Sequence, residues 1–176
     1  MEEKILYRKA RLNDAVKLSV LFKQVYIQTY GIDGVSDEFA NFITKQFSSE
    51  RIENTITNHP EVIVVAEYKG NLVGVAEIEM SKKSPIGNII APELNKLYIL
   101  EWFCGKGIGE KLLAFIEDAL VQKGEKAIWL WVLESNNRAV NFYEKHQFQY
   151  IGNAAFQMEK NLYNNKVMLK QLVKES

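Results

Sequence analysis

Three glycines at alternate positions, Gly105, Gly107 and Gly109, are the residues whose type and spacing point most directly to chemistry. An apolar run precedes them, and apolar residues at helical spacing follow from Leu112 onward. The pattern predicts a strand, a glycine loop and a helix. Backbone N–H groups at a helix start, with no Cβ atoms in the way, can hold phosphate oxygens, and the helix dipole adds to the attraction. The loop is therefore a candidate phosphate site, although a tight turn before a helix also needs glycine for backbone reasons alone.

The loop fits neither of two common nucleotide-binding motifs. A Walker-type phosphate loop needs Gly-Lys followed by Ser or Thr, whose hydroxyl binds magnesium, and here Glu110 follows Gly109. A dinucleotide fingerprint needs Gly-x-Gly-x-x-Gly close behind the first strand of a βαβ unit, and this loop lies past the middle of the chain with a different last spacing. A dinucleotide-dependent oxidoreductase is therefore the weaker alternative.

A second informative stretch follows the predicted helix. Residues 127–133 are continuously apolar, which predicts a strand. Ser135 is a suitable N-cap and predicts a short helix after that strand. From Asn136 to Phe148 the sequence reads Asn-x-x-Ala-x-x-Phe-Tyr-x-Lys-x-x-Phe, which places Tyr143 on this helix.

Together the two stretches resemble the pair of signature motifs of the GNAT superfamily of N-acyltransferases, over roughly residues 94–158. The pair is much more specific than either half. The end of the chain, with Gly152, Phe156 and Met158 before an apolar segment, resembles bacterial polyamine acetyltransferases of the PaiA type more loosely. The resemblance implies an α/β (α+β) fold: one GNAT-like domain over residues 1–176, with a mixed, mostly antiparallel central sheet of about six to seven strands flanked by helices.

The resemblance also implies acetyl-CoA as the cosubstrate, and no metal. The pantetheine arm would lie beside residues 94–100 like a neighbouring strand, bonding to the backbone at Leu97 and Ile99. A backbone N–H near Leu97 would polarise the thioester carbonyl, because fixed amide donors suit that task. The cofactor-binding residues predicted in this way are Leu97, Tyr98, Ile99, Gly105, Lys106, Gly107, Ile108, Gly109, Glu110, Asn136, Tyr143 and Lys145.

Tyr143 falls where the family carries a tyrosine that can protonate the leaving thiolate. An ordinary phenol with a pKa of about 10 and an ordinary thiol with a pKa of about 8.5 differ little, so this proton transfer is feasible without large tuning. Each assignment has a structural alternative. Tyr143 could instead anchor the core through its hydroxyl, and Asn136 could be a second helix cap. Lys106 and Lys145 could be solvated and contact no phosphate.

Glu93 is the predicted general base, because it lies on the same strand face as Leu97 by period two, where some family members carry a glutamate. Family members differ at this point, and many use a chain of water molecules. Glu77, Glu79 and Asn95 therefore remain alternatives for the group that receives the proton of the amine.

Two residues depart from the family pattern. Cys104 stands where the family usually has Gln or Arg, which predicts weaker side-chain support for a phosphate grip that is mostly backbone. Gln147 replaces the usual glycine before Phe148, so the turn there must form without easy positive φ. Both departures leave room for a non-catalytic member. Because Cys104 is placed at the phosphates, direct attack within a ternary complex is favoured over a covalent enzyme intermediate.

Composition excludes several other classes. The chain has 176 residues, which fits one domain, and 22 basic and 22 acidic side chains, so no positive excess suggests nucleic acid. One cysteine excludes an internal disulfide and a cysteine-based metal cluster. The sequence opens on acids and has no apolar run long enough to span a bilayer, so we expect a cytoplasmic protein without a membrane partner.

The remaining chain supplies the elements that must position these residues. Strands are predicted at residues 5–10, 61–68, 72–81, 94–100, 127–133, 149–158 and 166–173. A long helix is predicted from Asn13, and Ser36 and Ser49 are predicted N-caps of two further helices. Gly74 suggests a bulge or a close backbone approach within its strand. Residues 82–92 are predicted to be a loop between strands and are a candidate substrate loop.

The sequence therefore predicts an acetyl-CoA-dependent N-acetyltransferase that acts on a primary amine. The C-terminal resemblance favours a polyamine such as spermidine or spermine as the acceptor. Several acids favour it too, namely Asp37, Glu38, Glu77 and Glu79. A protein lysine, a protein N-terminus and an antibiotic-like amine remain alternatives. A second hypothesis is a non-catalytic module that senses acyl-CoA, against which Tyr143 argues. The closing strands would allow a homodimer, which the pattern alone does not establish.

Overall fold

Seven strands and five α-helices make up the part of the chain that the structure, a computed structural model, describes: residues 4–59, 62–158 and 160–172. In chain order they are β1 (Leu6–Lys9), α1 (Ala15–Tyr30), α2 (Asp37–Gln46), α3 (Ser49–Asn58), β2 (Ile63–Tyr68), β3 (Asn71–Lys83), β4 (Ile90–Ile99), α4 (Ile108–Gln122), β5 (Ala127–Leu133), α5 (Asn137–Lys145), β6 (Gln149–Met158) and β7 (Asn161–Gln171). Within these ranges, no helix combines the length and the apolar character that crossing a bilayer requires.

The strands are hydrogen-bonded side by side in one sheet, in the order β1-β2-β3-β4-β5-β7-β6. The pairs β1/β2, β2/β3, β5/β7 and β6/β7 are antiparallel, and β4/β5 is parallel. A parallel pair needs a crossover connection, and α4 supplies it between these two strands. The prediction of a mixed, mostly antiparallel sheet with flanking helices is confirmed.

Contacts divide the chain into two compact units, each built from two separate segments. The first unit comprises Met1–Glu77 and Lys96–Ile116, and the second comprises Ile78–Asn95 and Glu117–Ser176. The boundaries fall inside β3, β4 and α4, so these elements contribute residues to both units. A single domain over residues 1–176 stays a prediction.

Gly74 marks a close approach between β3 and β4, as predicted. A Cβ atom at Gly74 would lie 2.7 Å from Ile99 Cδ1 and 3.3 Å from the carbonyl oxygen of Tyr98. Next to this point, the N–H of Leu100 donates to the carbonyl oxygen of Val73 at 3.0 Å. Glycine is needed here because a side chain would displace Ile99 or the backbone of β4.

Serine side chains cap α2 and α3, one of them a residue earlier than predicted. The Oγ of Ser36 accepts the N–H of Phe39 at 3.1 Å, which confirms that cap. The prediction of Ser49 for α3 is wrong, because Ser48 has the extended backbone of a cap and its Oγ accepts the N–H of Arg51 at 3.3 Å. Two adjacent serines are equivalent by residue type, so only the geometry decides which one caps the helix.

The connection between β3 and β4 is shorter than predicted. The predicted loop over residues 82–92 is wrong at both ends, because β3 and β4 both extend into it. The indole Nε1 of Trp129 donates to the carbonyl oxygens of Lys82 at 3.3 Å and Ala91 at 3.1 Å, which holds both strand ends in place. Local sequence patterns do not reveal contacts between residues that are 47 and 38 positions apart in the sequence. Residues 84–89 stay a candidate substrate loop.

The last strand begins earlier than predicted. The predicted range, residues 166–173, follows its apolar residues, whereas β7 begins at Asn161 and pairs there with Met158 of β6. The asparagine-rich start of β7 has no apolar alternation, so backbone pairing with β6 extends the strand where side-chain pattern does not. Residue 173, and residue 61 of an earlier predicted strand, lie outside the described residues.

A buried network of charges joins β1 to the start of α1. Two guanidinium nitrogens of Arg8 donate to the Asp14 carboxylate at 2.7 and 3.1 Å, and Arg8 also pairs with Glu67 of β2. The backbone N–H of Arg11 donates to Asp14 at 2.8 Å, and Lys17 lies 3.3 Å away. Burial by itself raises the pKa of Asp14, but the hydrogen bonds from Arg8 and Arg11 and the charge of Arg8 outweigh it and lower the pKa to about 2.

Candidate functional site

The glycine loop between β4 and α4 has the backbone that the sequence predicts. Gly105 and Gly107 have φ angles of 75° and 74°, in the left-handed region that favours glycine. A Cβ atom at either position would meet no heavy atom within 4 Å, so the loop faces open space there. Gly109 lies one residue inside α4. The strand, loop and helix follow one another as predicted.

Backbone N–H groups of the first turn of α4 are available for an anion. The first helical hydrogen bond beside the loop runs from the N–H of Lys111 to the carbonyl oxygen of Gly107, at 3.2 Å. The N–H groups of Ile108, Gly109 and Glu110 precede that bond, and such groups have no acceptor within their own helix. The buried side chain of Ile108 fixes the start of the helix in the core. The loop and the helix start can therefore hold phosphate oxygens through the backbone.

Side chains around the loop add little to such a grip. The Sγ of Cys104 lies 3.7 Å from the carbonyl oxygens of both Ile99 and Leu100, so it folds back on the end of β4. Lys106 is exposed, and its Nζ lies 5.0 Å from the ring centroid of Phe103. A phosphate contact from Lys106 stays a prediction, and a phosphate grip here would be mainly backbone.

Leu97, Tyr98 and Ile99 form the end of β4, directly before the loop, and all three are half-buried. The ring of Tyr98 meets the ring of Phe22 in α1 edge-on, with centroids 6.0 Å apart. This contact and the close approach at Gly74 fix both faces of the strand end. The backbone groups that are predicted to bind pantetheine therefore lie in a strand end that is packed on both faces.

Asn136 caps α5, so the prediction of Ser135 as the cap is wrong. The Oδ1 of Asn136 accepts the N–H of Ala139 at 3.1 Å. Asparagine is at least as good a cap as serine. The helix begins at Asn137, one residue later than a cap at Ser135 would place its start. The cap uses the side-chain oxygen of Asn136, and its contact with a cofactor stays a prediction. Lys145 is the exposed last residue of α5, and its phosphate contact also stays a prediction.

Tyr143 is buried on α5 and held by aromatic neighbours. Its ring meets Phe142 and Phe148 edge-on, with centroid distances of 5.4 and 5.5 Å. The turn to Phe148 forms without glycine because Gln147 itself adopts a φ of 69°, a conformation that costs roughly 1 kcal/mol for a residue with a Cβ. The packing fixes the position of the phenol, and its role as an acid stays a prediction.

Glu93 is a buried carboxylic residue in β4, where that strand meets β5. In the register of the parallel pair β4/β5, Glu93 lies opposite Trp129, and Glu93 is buried. A buried carboxylate is unusual in a strand, and it suits a residue that exchanges a proton inside a cleft. Among the alternative bases, Asn95 is exposed. The role of Glu93 as base stays a prediction.

Local interactions account for the acids that suggest a cationic acceptor, and two of the four form ion pairs. These acids are Asp37, Glu38, Glu77 and Glu79. Glu77 is paired with Lys96 at 2.5 Å, and Glu79 is paired with Lys82 at 2.6 Å. The other two lie in the first turn of α2, where the helix dipole favours negative charge. These four residues therefore give a polyamine acceptor less support than their number suggests.

The predicted site residues fall into the two units. Residues of β4, the glycine loop and the start of α4 lie in the first unit: Leu97, Tyr98, Ile99, Gly105, Lys106, Gly107, Ile108, Gly109 and Glu110. The second unit holds Glu93, Asn136, Tyr143 and Lys145. No group of three or more His, Cys, Asp or Glu side chains in the described parts of the chain could hold a metal ion.

Lys96, which lies directly before Leu97, was not predicted from the sequence as a residue of the site. Its ammonium group is buried between Glu77 and the rings of Phe22 and Phe47. A lysine directly before the apolar end of a predicted strand is the feature that could have revealed it, because a lysine that is buried needs a partner. The partner itself lies in another strand and is not identifiable from the sequence.

A known protein family and individual known proteins resemble the chain. The model of a protein family described as "Acetyltransferase (GNAT) family" matches residues 32–148. An uncharacterised N-acetyltransferase of Mycobacterium tuberculosis (strain ATCC 25618 / H37Rv) is 28% identical over 137 residues, which cover 78% of this chain and 84% of that protein. The spermine/spermidine N(1)-acetyltransferase of Bacillus subtilis (strain 168) is 32% identical over 110 residues, which cover 60% of this chain and 66% of that protein.

The same fold occurs among solved structures. The PaiA N-acetyltransferase from Thermoplasma acidophilum, crystallised in complex with coenzyme A, superposes with a TM-score of 0.72. It is 24% identical, and the match covers 96% of this chain and 99% of that one. The matched family region contains the glycine loop, β5 and the whole motif from Asn136 to Phe148. The sequence motifs, the sheet and the family match agree, and the chain belongs to the GNAT family of acetyltransferases.

Proposed function

We propose that the chain transfers an acetyl group from acetyl-CoA to a primary amine, by direct attack within a ternary complex. The observation that carries the proposal is the glycine loop, whose residues Gly105 and Gly107 adopt left-handed backbone beside open space and lead into the start of a helix. In a member of an acetyltransferase family, such a loop suits the pyrophosphate of CoA. The fold shared with a CoA-bound PaiA enzyme is consistent with this assignment.

Four groups of this chain have roles in the proposed reaction. The N–H of Leu97 donates to the thioester oxygen and stabilises the negative charge that develops when the amine nitrogen attacks the carbonyl carbon. Glu93 takes a proton from that nitrogen, directly or through water. As the C–S bond breaks, Tyr143 donates its phenolic proton to the departing thiolate and afterwards regains a proton from water. The glycine loop holds the pyrophosphate throughout.

For the acceptor, we propose a polyamine such as spermidine or spermine. The support is the similarity to the spermine/spermidine N(1)-acetyltransferase of Bacillus subtilis, at 32% identity over 110 residues. The paired acids described above do not add to it. A protein amine and an antibiotic-like amine are the competing acceptors.

An acceptor panel tests the function. Release of free CoA thiol from acetyl-CoA is measured with spermidine, spermine, amino acids, an aminoglycoside and lysine peptides. We expect turnover with a polyamine, at a rate that saturates with both substrates. Binding of CoA without turnover on any amine would instead favour the acyl-CoA sensor. A melting temperature that CoA does not raise would contradict both functions, because a ligand that binds only the folded state must stabilise it.

Replacing Gly107 by Val should lower CoA affinity at least about tenfold, because a β-branched residue disfavours the left-handed backbone and fills the open loop. Isothermal titration with CoA measures the change. The matched control is Gly124→Val, which has a φ of 84° and the same open surroundings at the other end of α4. Both variants should lose similar stability, and only Gly107→Val should lose affinity. Equal affinities would show that the loop does not hold the cofactor.

A further inference from the structure

Lys96 is a buried cation in β4, one residue before Leu97. Its side chain is 9% exposed, and its Nζ lies 2.5 Å from a carboxylate oxygen of Glu77 in β3, whose side chain is 14% exposed. The same ammonium group lies 5.2 Å from the ring centroid of Phe22 and 5.8 Å from that of Phe47. One carboxylate and two aromatic rings therefore enclose the charge.

The pair formed by Lys96 and Glu77 fixes the alignment of β4 on β3. The N–H of Leu100 donates to the carbonyl oxygen of Val73 at 3.0 Å, and four residues inward from this bond along each strand are Lys96 and Glu77. A slip of one residue would turn Lys96 to the other face of the sheet and leave two buried charges unpaired. The ion pair thus opposes any shift of β4 along β3.

Leu97 lies between two anchored residues. Lys96 precedes it, and Tyr98 follows it with its ring edge-on to Phe22 at 6.0 Å. Alternate side chains of a strand share a face, so Lys96 and Tyr98 hold the same face of β4 against α1. The peptide that carries the N–H of Leu97 is therefore fixed on both sides.

Stability alone does not explain this arrangement, because a buried ion pair often stabilises a protein no more than two apolar residues of similar volume. We propose that Lys96 and Glu77 are positioning residues, whose pairing holds β4 in the register that directs the N–H of Leu97 at the thioester oxygen. The proposal rests on the proposed acetyl transfer. In this role both residues act through the backbone of β4 and not through contact with the substrate, which separates the role from that of Glu77 as an alternative base.

The double variant Lys96→Met/Glu77→Met tests the positioning role. It removes both members of the ion pair together and keeps unbranched side chains of similar length, so neither member remains as the buried charge of a broken pair. We expect a melting temperature within a few degrees of wild type, a kcat lowered about tenfold to a hundredfold, and a KM for acetyl-CoA changed by less than about threefold. A purely structural pair would leave kcat per folded molecule unchanged.

A second ion pair provides the matched control. Lys170 and Glu117 are 2.6 Å apart, with side chains 13% and 19% exposed, and neither residue belongs to β3 or β4. Lys170→Met/Glu117→Met should change stability by a similar amount and leave kcat within about twofold of wild type. A folded Lys96→Met/Glu77→Met that keeps the wild-type kcat would overturn the proposal.

Two further measurements keep the test decisive. If the double variant does not fold, Glu77→Gln replaces it, because the amide keeps the shape and one acceptor oxygen. In that variant an unchanged kcat overturns the proposal. A kcat about tenfold lower supports it when the amides of residues 97–99 also exchange faster, because loss of a base at Glu77 would lower kcat and leave their exchange unchanged. Amide hydrogen exchange needs no turnover and so separates this proposal from the proposed function. We expect the amides of residues 97–99 to exchange at least about tenfold faster in the Lys96 and Glu77 variant than in the control, and equal exchange would overturn the positioning role.

Discussion

Replacing Tyr143 by Phe should lower kcat about a hundredfold to ten-thousandfold, because the variant lacks the hydroxyl that protonates the leaving thiolate in the proposed reaction. The remaining ring keeps its edge-on contacts with Phe142 and Phe148, so the fold and the affinity for CoA should stay near wild type. Steady-state release of CoA thiol measures kcat, and isothermal titration with CoA measures the affinity.

Tyr150→Phe is the matched control, since Tyr150 is an exposed tyrosine on β6 with no place in the proposed chemistry. Its kcat should equal that of wild type. Should Tyr143→Phe retain more than about half of the wild-type kcat, another group or water must protonate the thiolate. A loss of CoA affinity as large as the loss of rate would instead assign the hydroxyl of Tyr143 to binding.

Replacing Asp14 by Ala should lower the free energy of unfolding by about 3 kcal/mol, because it removes one member of a buried charge network and leaves the guanidinium of Arg8 with fewer partners. Glu67 still pairs with Arg8, which places the loss at the lower end of the range for broken buried pairs. Urea unfolding followed by circular dichroism measures the loss. Asp118→Ala, at an exposed position on α4, should change the stability by less than about 0.5 kcal/mol.

The contribution of Asp14 also depends on pH in a defined direction. Its pKa is about 2 in the folded chain, below its ordinary value of 3.8. A lowered pKa means that the stabilisation is complete above about pH 4 and is lost as the pH falls through 3.8 towards 2, by roughly 2 kcal/mol in total. The difference in stability between wild type and Asp14→Asn should therefore shrink below pH 4. A difference that stays constant from pH 7 to pH 3 would contradict the network's role.

Features set by local backbone chemistry were predictable from the sequence. The glycines at 105 and 107 adopt the left-handed conformations that their loop requires, and β5 spans the continuous apolar run that predicts it. The caps of α3 and α5 each lie one residue away from the predicted position, because neighbouring Ser or Asn side chains are nearly equal candidates for a cap. The family resemblance rested on these local features, and the family match confirms it.

Features set by contacts between distant residues were not predictable. Lys96 and Glu77 are 19 positions apart, and the indole of Trp129 reaches backbone that is 47 and 38 positions away. The alternation of side chains along a strand predicts that Glu93 and Leu97 share one face of β4, but it does not predict what lies opposite each side chain. For the same reason, the sequence led to too high an expected negative charge for binding a cationic acceptor. The lysines that pair with Glu77 and Glu79 are not evident from the spacing of the residues.

The division of each compact unit into two segments has a consequence for how the chain folds during synthesis. The first unit is incomplete until residue 116 has left the ribosome, because its second segment carries the end of β4 and the glycine loop. The hairpin of residues 78–95 emerges before the later strands of its own unit. It therefore also precedes β5, whose Trp129 bonds to both of its strands next to the turn. A nascent chain that stops before β7 exposes strand edges, which pair readily with other chains. Chaperone binding to chains of intermediate length, and rapid proteolysis of prematurely terminated products, are the expected cellular results.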